Sequence, residues 1–167
     1  MAGLLTLGII KPHAYLSRKA GQIITRAEEA GFGIVQSKIT QLRIEGAEKF
    51  YAEHKGKEFF PNLVKQMSMS PIWVFVLSKN NAVQEWRDLI GATDPAEAAS
   101  GTIRHDFGES TYPINNAVHG SSTDHDAKRE ITFFFSRELK MAQKIYEADN
   151  GSKDIENKIE QALRKQD

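Results

Sequence analysis

Pro71-Ile72-Trp73-Val74-Phe75-Val76-Leu77 is an unbroken apolar run. A strand with one face in water alternates apolar and polar residues; a strand covered on both faces does not. The run therefore reads as a central strand. Leu4-Leu5-Thr6-Leu7-Gly8-Ile9-Ile10 has the same character and reads as a second buried strand. It stops at Lys11-Pro12, because Pro12 cannot donate to a ladder.

Working outward, residues 13 to 19 read as a loop. Ala20, Ile23, Ile24 and Ala27 then recur at helical spacing, and Gly31 sits where a left-handed cap is expected. Gly33 to Leu42 reads as a strand. Ala47, Phe50, Tyr51 and His54 fall at i, i+3, i+4 and i+7, on one face of a helix. Phe59-Phe60-Pro61 opens another helix, with Pro61 near its first turn and Leu63, Val64 and Met67 as its stripe. Beyond the central strand, Val83, Trp86, Leu89 and Ile90 form a further helical stripe closed by Gly91. Residues 92 to 116, with Pro95, Gly101, Gly108 and Pro113, read as one long loop, which in a compact domain is commonly functional.

Ala117-Val118-His119 is a short strand, followed by a helix from Thr123 to about Phe134. On that helix Glu130 lies on the inward side with Ala127, Ile131 and Phe134. A carboxylate there is costly unless something pairs with it. Past residue 136 the chain turns polar and charged. Asn150-Gly151-Ser152 is a break, and Ile155, Ile159, Ala162 and Leu163 mark a thin amphipathic helix beyond it. The element order is βα, β, two helices, βα, then β and a helix. It predicts an α+β, ferredoxin-like sandwich: a four-stranded antiparallel sheet covered by helices, a long loop and a C-terminal helical extension. Residues 1–136 are expected to form the domain and 137–167 the extension.

The chain has 167 residues and zero formal net charge, which argues against a broad nucleic-acid footprint. It has no cysteine, which excludes disulfides and thiolate metal sites. The run from Leu4 to Ile10 is too short for a signal peptide's full pattern, and no run approaches membrane-spanning length. A cytoplasmic location is the expectation.

His119 stands at a strand-to-helix junction, before Gly120 and a run of hydroxyl and acidic residues. An imidazole there can serve as a nucleophile; the plain alternative is a histidine in a surface turn. Residues suited to a nucleoside phosphate fall at other element ends. Lys11, Arg87, Arg104 and the hydroxyl of Thr93 could orient a polyphosphate, with Mg²⁺ sharing the charge through the phosphates rather than through protein ligands. Tyr51 and His54 add two hydrogen-bonding groups. Phe59 offers a ring to a base, and Asn116 can reach a sugar hydroxyl.

These residues fall in segments that resemble the nucleoside diphosphate kinase family. The segments are Ile10-Lys11-Pro12, Tyr51-Ala52-Glu53-His54-Lys55, Phe59-Phe60, Leu63-Val64, Gly91 to Ala96, Gly101 to Phe107, Asn116 to Ser121 and Glu130-Ile131. The resemblance spans about residues 4 to 135. It implies transfer of the γ-phosphate of a nucleoside triphosphate, typically ATP, to a nucleoside diphosphate. The route is a ping-pong cycle through a phosphohistidine on His119, with Mg²⁺. The sequence leaves open which ring nitrogen attacks; the resemblance points to Nδ1. It makes Glu130 the ring's orienting partner, with Ser121 in the same hydrogen-bond set and Tyr51 beside the histidine. Lys11 would contact the phosphate in flight and the ribose. His54, Arg87, Thr93 and Arg104 match the phosphate binders, Phe59 and Leu63 the base pocket, and Asn116 the ribose binder. A homo-oligomer, hexamer or tetramer, built from dimers is implied as well. An inactive scaffold that keeps the fold would not need this whole set.

The chain departs from the family pattern at His13-Ala14, His105 and Ser122. The loop between Arg104 and Asn116 is about two residues longer, and Pro113 or Ile114 stands where a valine would cover the base.

Overall fold

The structure is a computed structural model describing residues 3–112 and 114–148, with side chains described as far as 138. In chain order it contains β1 (Leu5–Ile10), α1 (Pro12–Leu16), α2 (Ala20–Glu29), β2 (Gly33–Thr40), α3 (Ile44–Phe50), α4 (Phe60–Ser68), β3 (Ile72–Ser78), α5 (Ala82–Ile90), α6 (Ile103–Phe107), β4 (Val118–Gly120) and α7 (Asp124–Ala148). A single 3₁₀ turn, Ala52–His54, follows α3. The strands form one sheet in the order β2-β3-β1-β4, and every neighbouring pair is antiparallel.

The two apolar runs are the two inner strands, with Leu5 opposite Ser78 and Ile10 opposite Trp73. Successive side chains of a strand point to opposite faces, so an inner strand must satisfy two cores at once. From β3, Ile72, Val74 and Val76 pack with Phe50, Leu63, Met67, Ile131 and Phe135 on the face covered by α3, α4 and α7. Phe75 and Leu77 pack with Ile23, Ala27, Trp86 and Ile90 on the face covered by α2 and α5. This double burial is the reason neither run alternates. The ferredoxin-like sandwich expected from the element order is the fold observed.

Several local readings need correction. Residues 13–19 are not all loop. Pro12 opens the short helix α1 as well as ending β1, because its fixed φ suits a first helical turn. Only Pro12 and Ala14 of α1 are buried, too thin a pattern to register as periodicity. The helix expected through His54 ends at Phe50, and His54 N–H reaches back to the Tyr51 carbonyl in a tighter turn. The long loop contains α6, whose inward residues are little more than Ile103 and Phe107. β2 ends at Thr40, short of Leu42.

The last helix runs past Phe134 to Ala148, so position 136 falls inside α7. Pro113, the break at 150–152 and the amphipathic stripe beyond it lie outside the described residues. Among the described residues, no helix is long and apolar enough to cross a membrane.

Candidate active site

The site is built where β4 enters the sheet. Asn116 and Val118 close a tight γ-turn around Ala117: the Val118 N–H donates to the Asn116 carbonyl at 2.7 Å and Ala117 has φ +66°. A non-glycine residue in this region stores about 1–3 kcal/mol of strain, tolerated only where the surroundings over-determine it. Those surroundings are visible. Lys11 N–H donates to the Ala117 carbonyl at 2.9 Å, and Ala117 is fully buried. Periodicity gave no sign of this turn. On β4, His119 lies opposite Ile9 of β1, and its carbonyl accepts a hydrogen bond from the Trp86 indole at 3.2 Å. Gly120 follows because a Cβ there would sit 2.6 Å from Trp86 Cδ1.

Behind the ring runs a chain of hydrogen bonds. Leu7 N–H donates to Ser121 Oγ at 3.1 Å, Ser121 Oγ donates to Glu130 Oε2 at 2.7 Å, and His119 Nε2 lies 3.0 Å from the same oxygen. Burial pushes the Glu130 carboxyl up. The His119 charge, the two hydrogen bonds and Arg129 outweigh it and hold the carboxyl below its ordinary range. An ionised carboxylate only accepts hydrogen bonds, so Nε2 carries the ring proton. That proton is assigned from the network. In the neutral form of the ring, Nδ1 then keeps the lone pair. The carboxylate expected on an apolar helix face is thus explained by its partners.

In front of the ring is a cavity of about 400 Å³. Lys11 reaches it from the end of β1, Tyr51 and His54 from the end of α3 and its 3₁₀ turn, and Phe59 and Leu63 from α4. Arg87 enters from α5, Arg104 from α6, and Thr93 and Asn116 from the long connection. Every expected pocket residue that is described meets here, and Ser121 and Glu130 sit behind His119. Sequence reasoning missed Glu53, Val118 and Gly120 as lining residues. It left Ile114 as one of two alternatives and named Ser122 only as a departure; both line the cavity.

The electrostatics suit an anion. Lys11 is 6% exposed, and burial followed by Arg104 pushes its ammonium down to about 7. Burial and Arg87 bring Arg104 to about 10, still a cation at neutral pH. Its guanidinium is held by the carbonyls of Gly91 at 2.9 Å and Val118 at 3.2 Å. Burial lowers His54 and raises the Tyr51 phenol far above its usual range, so both are neutral near pH 7. Tyr51 stands edge-on to His119 with centroids 6.0 Å apart. Among the described residues, the Tyr51 hydroxyl, Arg104 Nε and Asn116 Oδ1 are buried without a partner. Asn116 itself is fixed by donating to the Thr93 carbonyl at 2.9 Å.

A cation-lined cavity in front of an oriented imidazole is matched by the comparisons with known proteins. The family model for nucleoside diphosphate kinase matches residues 5–139. A nucleoside diphosphate kinase of Pasteurella multocida is 50% identical over 135 residues, 81% of this chain and 96% of that protein.

The chain belongs to the nucleoside diphosphate kinase family.

It is therefore a phosphotransferase by family, and solved nucleoside diphosphate kinases share its fold. That of Aquifex aeolicus superposes with a TM-score of 0.77 at 36% identity, covering 80% of this chain and 96% of that one. That of Halobacterium salinarum, solved in complex with CDP, gives 0.76 at 36% identity over 80% and 88%. The departures of this nucleoside diphosphate kinase fall differently on the site. Ser122 lines the cavity, whereas the His105 ring pairs with Asp106 at 2.8 Å on the surface.

Proposed function

We propose that the chain transfers the γ-phosphate of a nucleoside triphosphate to a nucleoside diphosphate through His119. The observation that carries this reading is the 3.0 Å contact between His119 Nε2 and the buried Glu130 carboxylate. It keeps the proton on Nε2 and directs Nδ1 to the cavity. Nδ1 attacks the γ-phosphorus in line, the bond to the bridging oxygen breaks, and the nucleoside diphosphate leaves. A second nucleoside diphosphate then attacks the phosphohistidine with a terminal oxygen and restores the free imidazole.

Lys11, Arg87 and Arg104 neutralise the charge that spreads over the transferring phosphoryl group, and Thr93 and His54 add hydrogen bonds. Tyr51, with its free O–H, stands beside the reacting ring. Asn116 Oδ1 accepts from a ribose hydroxyl, and Phe59, Leu63 and Ile114 enclose the base. Kinases of this kind work with a divalent metal, and the ion is assigned as Mg²⁺. Lys11, Arg87 and Arg104 line the cavity and no metal-ligand cluster occurs among the described residues, so the ion would enter with the nucleotide, held by its phosphates, and would shield their charge. The test is labelling with γ-³²P ATP. Acid-labile label that ADP discharges supports the reading, and its absence ends it.

Lys11 gives this function a pH signature. Its folded pKa of about 7 lies below the ordinary 10.5. Between those values the folded apo protein binds less proton than the unfolded chain, so the burial penalty is full below pH 7 and fades as pH rises to 10.5. A polyphosphate favours the charged ammonium. Nucleotide binding is therefore expected to take up protons near neutrality and to weaken as pH rises from 7 to 9. Titration calorimetry of ADP in buffers of different ionisation enthalpy measures both effects; a flat response would remove Lys11 as a phosphate ligand.

We assign residues 1–136 as the catalytic domain, 137–167 as an extension, and the cytoplasm as its location. Self-association is supported by the edge of β2, which among the described residues pairs only with β3 and exposes Ile34, Val35 and Ile39. Such an edge is normally covered or charged. A Val35→Glu/Ile39→Glu variant is expected to scatter light as an 18.7 kDa monomer, against a larger wild-type particle.

A further inference from the structure

The lengthened loop is not slack. Glu109 N–H donates to the Asn115 carbonyl at 3.0 Å, Tyr112 N–H to the Glu109 carbonyl at 3.1 Å, and Asn115 N–H to the Tyr112 carbonyl at 2.8 Å. The Asn115 side-chain amide also donates to the Glu109 carboxylate. Glu109 and Asn115 thus fasten the two feet of the loop to each other, through backbone and side chain together. Asn115 sits between two residues that face the cavity. Ile114 lines it, and its carbonyl accepts from Lys11 Nζ at 3.4 Å. Asn116 lines it as well. The phosphate-facing cations Arg87 and Arg104 come from α5 and α6, outside the fastened segment.

We propose that the Glu109–Asn115 pair is a positioning device for the nucleoside end of the substrate, setting Ile114 against the base and Asn116 against the ribose. The inference rests on the function proposed above. Neither residue touches substrate; each acts through Ile114 and Asn116. The pair therefore governs how tightly the base and sugar are held and leaves Arg87 and Arg104, the two arginines of the phosphate cage, in place.

The test compares two ligands on Asn115→Ala and on Glu109→Gln. ADP carries base and sugar; inorganic tripolyphosphate carries neither. The Asn115 amide bonds a charged group at an exposed position, where solvent weakens the bond, so the ADP dissociation constant and KM are expected to rise about three- to tenfold in Asn115→Ala. Tripolyphosphate affinity and kcat at saturating nucleotide should change less than about twofold. Glu109→Gln keeps an acceptor for the Asn115 amide and should recover most of the ADP affinity. Glu109→Ala removes the acceptor from the other side, is expected to lose ADP affinity as Asn115→Ala does, and serves if Asn115→Ala does not fold. Unchanged ADP affinity in Asn115→Ala overturns the proposal, as does a parallel loss for both ligands, which would mean general damage to the pocket. A wild-type protein that forms no phosphohistidine defeats the underlying function instead, and is separately visible.

Discussion

Alanine in place of His119 is expected to reduce phosphoryl transfer by at least about four orders of magnitude while ADP binding stays within a few-fold. The asymmetry follows from where the ring stands. Its Nε2 faces Glu130, and the ring lines the cavity. The cations proposed to hold phosphate, Lys11 just after β1, Arg87 on α5 and Arg104 on α6, do not depend on the imidazole. Among the described cavity residues, Tyr51 is held neutral by burial, and the His54 ring is stacked on Tyr51 with centroids 6.2 Å apart.

The substitution also leaves Glu130 buried with one hydrogen bond fewer. Ser121 still donates to it, and Arg129 lies 3.5 Å from its other oxygen. Losing one partner of a buried charge costs about 1–3 kcal/mol. The variant should thus melt a few degrees lower, still folded at working temperature. Rapid-quench counting of acid-labile label, beside calorimetric ADP binding, reads both effects. Residual label on the alanine variant above a thousandth of wild type would place the nucleophile elsewhere.

How much was legible in the sequence depended on whether a feature repeats. β1 and β3 were legible because burial on both faces removes alternation. α5 was legible because Val83, Trp86, Leu89 and Ile90 carry a full stripe and Gly91 closes it with φ +83°. α1 and α6 were not, because five-residue helices with one or two inward residues leave no period to detect. The far half of α7 was hidden by its polar composition. At the site, residue types at element ends gave most of the pocket's membership, the family resemblance added Leu63 and Ser121, and Glu130 betrayed itself as a carboxylate among apolar neighbours. Sequence pattern could not give the γ-turn at Ala117, the Leu7 N–H that anchors Ser121 or the Glu109–Asn115 fastening. Each joins residues through backbone geometry or across the fold, where sequence spacing says nothing.

Gly8 carries the largest expected effect on stability, and its reason is also invisible in sequence. A Cβ there would lie 2.0 Å from Cε2 of Phe75, which faces Gly8 across the β1–β3 pair. Phe75 cannot step aside: it is fully buried and packed edge-on against Trp86, with centroids 5.8 Å apart. Either the ring leaves its rotamer or the two inner strands separate. Overpacking of this kind costs about 3 kcal/mol, so Gly8→Ala is expected to lower the melting temperature by roughly 10 °C. Adding Phe75→Leu frees the space and should recover part of the loss, a coupling that a double-mutant cycle measures. The site should feel the change as well. Gly8 lies opposite Gly120, beside His119, and Leu7 N–H anchors Ser121 at 3.1 Å. Displacing β1 loosens Ser121, then Glu130, then the imidazole. Gly8→Ala should therefore phosphorylate more slowly even well below its melting point, and the Phe75→Leu partner should restore rate together with stability. A melting temperature unchanged by Gly8→Ala would mean that β1 and β3 do not approach each other this closely.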